Sequence, residues 1–137
     1  MIKIFSNTIP FQGYIAITVW PLVFVRKKAR VRFTEEVERH ENIHGRQQRE
    51  LLPVGIALCT ILALTGCGWW SLMALPIALW LYILSYLLRL AWCRNHKMAY
   101  KSNPFEAEAY IYEDDCYYLS RRTPFYWVRF MFSTNTF

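Results

Sequence analysis

Residues 51–88 read LLPVGIALCTILALTGCGWWSLMALPIALWLYILSYLL and hold no charged side chain. A chain of 137 residues rarely buries such a run in water, so lipid is the simpler solvent for it. The expected fold is a mainly α membrane protein built on a transmembrane helical hairpin over 51–92. Thr65-Gly66-Cys67-Gly68 is the one turn-like cluster inside the run. The second arm, 69–88, has the roughly 20 residues that cross a bilayer core, and Trp70 and Trp92 suit its two interfaces. The first arm, 53–64, is short. It must borrow from its flanks, tilt in a thinned bilayer, or stay re-entrant.

Working outward, nine Lys and Arg precede the run and seven follow it. The turn between the arms has none, so the positive-inside rule places both termini in the cytoplasm. The net charge of +6 belongs to these flanks, and no nucleic-acid partner is expected. Cys59, Cys67, Cys93 and Cys116 include no CxxC pair, and two lie in the apolar run, which argues against a disulfide frame. Pro10 and Gly13 stand where a signal peptide needs an apolar helix. One compact domain over 1–137 is expected.

Residues 1–33 carry β character, with β-branched and aromatic runs at 14–20 and 22–25 separated by Pro21. A polar turn over 26–30 and a return strand over 31–33 complete a small β-hairpin region. The five basic residues in 26–32 would meet anionic head groups, or simply be solvated. Thr34 caps a helix over 34–50, with Glu35 and Glu36 at its positive end. That helix should end or bend near Pro53. Asn103-Pro104 starts a second helix, expected over 103–119. The arginines and aromatics of 120–137 suit an interfacial tail.

His40-Glu41-Asn42-Ile43-His44 is an HExxH motif on the first of these helices. Residues four apart share a helix face, so both imidazoles can hold one metal ion, for which Zn2+ is the expected species. Glu41, rotated by about 100°, can then take a proton from a water that the metal activates. A catalytic zinc needs a third protein ligand. His96, Glu106 and Glu108 are the candidates. Glu106 and Glu108 lie on the helix that re-emerges beside the first, so the hairpin clamps the two halves together. Glu106 could instead serve as a capping-box carboxylate on the Asn103 amide. Gln47 and Gln48 could orient a ligand histidine from behind or be solvated. Among Tyr110, Tyr112, Tyr117 and Tyr118, one hydroxyl could face a developing oxyanion. Asp114 and Asp115 lie too far along for the same ion.

His40-Glu41-Asn42-Ile43-His44 with Gln47-Gln48, a hydrophobic hairpin, and Asn103-Pro104-Phe105-Glu106-Ala107-Glu108-Ala109-Tyr110 together resemble a group of small bacterial and phage membrane proteins. The resemblance covers roughly residues 10–130. More distantly the chain is similar to gluzincin-type membrane zinc metallopeptidases, in which HExxH is completed by a Glu in an E-x-x-A-D pattern. The resemblance implies Glu106 as third ligand, with Ala109 matching the alanine and Glu108 as the alternative ligand. The aspartate falls at Tyr110, so the second-shell bond it provides must come from elsewhere. It also implies a bacterial inner membrane as the location.

The expected function is therefore a membrane-bound zinc metallopeptidase that hydrolyses peptide bonds at the cytoplasmic face. The N-terminal strands could offer an edge to an extended peptide or protein substrate. The motif sits among charges, which disfavours cleavage within the bilayer. Two alternatives stay open: a zinc-stapled membrane protein without catalysis, and a metal-free hairpin protein that binds a membrane partner. Neither the substrate nor the oligomeric state is legible.

Overall fold

The computed structural model describes residues 1–10 and 13–132. The protein is mainly helical, with a small three-stranded sheet at its N-terminus. The strands are β1 (Ile2–Ser6), β2 (Ala16–Val19) and β3 (Leu22–Arg26), in the order β1-β3-β2. β2 and β3 form the expected antiparallel hairpin across Pro21, with Val19 opposite Leu22. The third strand is a correction. Residues 27–32 form a 3-10 turn in which Val31 is exposed, and β1 instead pairs parallel with β3. The free edge of β3 is taken by Ile2 to Ser6, and of the expected return strand only Phe33 reaches the core. Ala16 and Thr18 point inward from β2 beside Val23 and Val25 of β3, with Phe33 and Val37 packed against the apolar cluster.

The HExxH helix, α1, spans Glu35–Leu64. The Thr34 hydroxyl accepts the Val37 N–H at 3.4 Å, and Glu35, Glu36 and Glu38 lie in the first turn. Of the end or bend expected near Pro53, the end is not observed, because the helix runs on through it into the first apolar arm. Packing on both sides of the proline offsets the missing hydrogen bond. Leu51 is buried with Phe105 and Trp127. At Gly55 an added Cβ would meet the carbonyl oxygens of Ala74 and Leu75 at 2.9 Å. No side chain fits there.

A 3-10 segment, Gly68–Ala74, returns along α1 and leads to α2 (Ile77–Cys93). Among the described residues no single helix is long and apolar enough to cross a membrane. The 68–74 segment and α2 have the length and composition only as a pair, and they are bent by 64°.

The expected helix over 103–119 is two helical pieces with a preface. α3 (His96–Lys101) precedes it, α4 (Pro104–Tyr112) carries the motif, and α5 (Tyr118–Arg121) follows a turn. α4 is buried from Pro104 to Ala109, so it is the core around which α1, α2 and the C-terminal segment assemble. The segment expected as an interfacial tail packs against this core through two aromatic side chains. Trp127 stacks on Phe105 at 4.4 Å between ring centroids, and Tyr126 packs on the cluster of Ile43, Ala109 and Tyr118. Positions 133–137 of the expected tail lie outside the described residues.

Candidate metal centre

His40, His44 and Glu106 bring one ligand atom each within 4.8 Å of one another. His40 Nε2 lies 3.1 Å from His44 Nε2 and 3.3 Å from Glu106 Oε2. His44 Nε2 lies 3.5 Å from Glu106 Oε1. Ligand atoms about 2.0–2.1 Å from a tetrahedral ion sit roughly 3.3 Å apart. The two Nε2 atoms, and the Glu106 oxygen nearest to each of them, lie close to that spacing.

The hydrogen bonds behind the rings determine which nitrogens face it. Gln47 Nε2 donates to the Phe105 carbonyl and to Glu108 Oε2, each at 3.1 Å. Its Oε1 therefore faces His44 and accepts from Nδ1 at 2.9 Å. His40 Nδ1 donates to Glu113 Oε2 at 2.8 Å. With both Nδ1 atoms committed as donors, both Nε2 lone pairs turn inward. Glu106 Oε2 is buried there with no hydrogen-bond partner. Three acceptors converge, and a cation or proton is what they require.

The electrostatics agree. Burial alone would lower the His44 pKa, but the charge and hydrogen bond of Glu106, helped by Glu41 and Gln47, raise it to about 9. Burial would raise that of Glu106, yet His44 and His40 hold it well below the usual carboxylate range. Without a metal the cluster thus keeps a proton, which a bound cation would displace.

The capping alternative for Glu106 does not apply, because the Asn103 amide donates to the Tyr100 carbonyl at 3.1 Å. The Asn103 side chain caps α4 by accepting from Phe105 N and ties it to α2 through Ser85 and the Tyr82 carbonyl. The Glu106 carboxylate is positioned by the Tyr82 hydroxyl, which donates to Oε1 at 2.8 Å. Glu108, two residues on and rotated by about 200°, faces away from the triad. Tyr118 and Arg122 donate to its Oε1, and Gln47 and Arg122 to its Oε2. His96 bonds the Tyr86 hydroxyl instead.

Glu41 is buried, and Thr18 Oγ1 on β2 donates to its Oε2 at 2.6 Å. Gln48 faces the sheet and not the histidines. Its amide bridges the Thr18 carbonyl and the Trp20 N–H, each at 2.8 Å, so part of the open β2 edge is occupied. Tyr110 sets its ring edge-on to His40 at 4.8 Å. Tyr100 stands 6.4 Å behind it, and burial followed by the Glu106 charge pushes its hydroxyl pKa up.

Sequence reasoning missed Glu113, Tyr82 and Thr18. Glu113 stands seven residues after Glu106, two helical turns along one face, which was a usable signal. It supplies the hydrogen bond behind the His40 ring. Glu113→Gln is expected to weaken zinc affinity by about 10–100-fold with the fold intact, as read by competition with a chromophoric chelator. An unchanged affinity would remove Glu113 from the centre.

Compared with protein-family models, curated proteins and solved structures, the chain matches none.

Proposed function

We propose that the chain is a zinc-dependent peptidase held at a bilayer, with its site on the cytoplasmic side. The observation that carries this is the convergence of two Nε2 lone pairs and an unpartnered carboxylate oxygen beside a buried HExxH glutamate. His40, His44 and Glu106 hold the ion. Zinc supplies a Lewis acid that polarises a carbonyl and acidifies water. Glu41 moves the proton: Thr18 steadies Oε2, leaving Oε1 to accept it. Tyr82 keeps the Glu106 carboxylate aimed, and Gln47 and Glu113 keep the two rings from turning. Membrane attachment is supported by large exposed apolar side chains such as Leu64, Trp69, Trp70, Leu84 and Leu88.

One observation favours the zinc-staple reading: Gln48 already occupies part of the edge that would receive an extended substrate. Glu41→Gln separates the two. In bicelles with a fluorescein-labelled unfolded protein as substrate, the variant should keep its zinc and lose at least about 100-fold in turnover. Equal turnover in both proteins, or none in either, would leave the metal a structural role.

A further inference from the structure

We propose that the apolar hairpin is re-entrant: it enters the hydrocarbon core from one side and returns to that side, with no part of the turn reaching water on the far side. This rests on the membrane reading above and states how the chain sits in the bilayer. The first observation is length. Arg49 is exposed on α1 and marks the water boundary, and Leu64 ends the helix fifteen residues later. That arm rises about 23 Å, short of the roughly 30 Å hydrocarbon core but longer than one leaflet of it. It has no room to borrow. Glu50, next in line, is bound to Arg122 and to the Phe125 N–H in the water-side domain.

The second observation is the turn itself. Its N–H groups at Thr65, Gly66, Cys67 and Trp70 bond to carbonyls of Ile61, Ala63, Leu62 and Cys67. The hydroxyls of Thr65 and Ser71 bond to the Leu62 and Gly68 carbonyls, and the Trp80 indole covers the Met73 carbonyl at 2.8 Å. Hydrocarbon demands such internal bonding, whereas a turn in water has no need of it. Around these groups the tip presents Leu64, Trp69 and Trp70, all more than three-quarters exposed.

The third observation is the direction of α2. The 68–74 segment packs back along the same arm, with the Ala74 carbonyl against Gly55, and the axis of α2 is bent by 64° from that of the 68–74 segment. Measured along the axis of the 68–74 segment, the seventeen residues of α2 advance only about 11 Å. Leu79, Trp80, Ile83, Leu84, Leu87 and Leu88 are exposed on one face. On the opposite face Tyr82 and Ser85 hold Glu106 and Asn103. A helix with an apolar side towards acyl chains and a polar side towards its own protein lies along an interface.

The chain carries its own probes, since Cys67 at the tip and Cys116 beyond α4 are both exposed. Two full-length proteins keep one cysteine each, the others changed to Ser, and are treated with a membrane-impermeant maleimide in right-side-out and inside-out vesicles. Cys116 should label from one face. Cys67 should label from neither, staying below about a tenth of its value in detergent, as immersion of the tip requires. Labelling of Cys67 from the face opposite Cys116 would show a spanning hairpin, and labelling from the same face would place the turn in water; either overturns the proposal. Release of the chain by alkaline carbonate, with Cys67 reactive before detergent, would instead remove the membrane reading beneath it.

Discussion

Detergent-purified protein should carry about one zinc per chain, and His44→Ala or Glu106→Ala should reduce this below about a tenth of an equivalent. The size of the loss follows from the donor set. Two Nε2 atoms 3.1 Å apart and a carboxylate with one oxygen 3.3–3.5 Å from each leave only two ligands when one residue is removed, and Tyr82 then points its hydroxyl at an emptied position in Glu106→Ala. Glu108→Gln is the control. Both its oxygens are already held by Arg122, Tyr118 and Gln47, so it should retain most of the zinc. Elemental analysis after dialysis against a weak chelator checks all four proteins. Wild-type protein without zinc after supplementation would return the chain to a metal-free hairpin. Zinc retained in Glu106→Ala but lost in Glu108→Gln would exchange the ligand.

Arg122→Met should destabilise the fold by about 3–5 kcal/mol, the range for breaking a buried ion pair from one side. The Arg122 and Glu108 side chains are both fully buried, and the guanidinium also reaches Glu50. Without it, Glu108 is left charged with only the Tyr118 hydroxyl and the Gln47 amide, and Glu50 retains the Phe125 N–H. Adding Glu108→Gln should recover part of the loss, because the stranded charge goes with it. Urea unfolding of the zinc-free chain in bicelles measures this without the metal's contribution. A change below about 1 kcal/mol would mean that water reaches the pair. The same cluster bears on the metal: Gln47 touches both His44 and Glu108, so docking of the C-terminal segment also keeps one ligand ring in place.

Much of this was legible from local pattern. Thr34 followed by acidic residues marked a helix start, and HExxH put two imidazoles on one face. Asn103-Pro104 marked the second motif helix, and β2 and β3 followed from β-branched runs around Pro21. The continuity of α1 across Pro53 was not legible. A proline's local penalty is readable, whereas the packing of Leu51 and Gly55 that offsets it comes from residues 19–76 positions away. The pairing of β1 was hidden for the same reason, since a parallel partner twenty residues on leaves no mark in a five-residue strand.

The choice between Glu106 and Glu108 shows where the division lies. Both carboxylates stand on the same short helix, two residues apart, with equal claim to a metal as far as spacing goes. Their opposite faces follow from helical rotation alone. Which face meets the histidines depends on how α4 docks. Asn103 holds it to Tyr82 and Ser85 of α2, and buried Arg122 draws Glu108 the other way. Helix periodicity acts over a few residues and is written in their order. The pairing of His40 with Glu113, or of Gln47 with Glu108, joins positions 73 and 61 apart. Only a packed core, by burying polar groups that must then find partners, selects among such pairs.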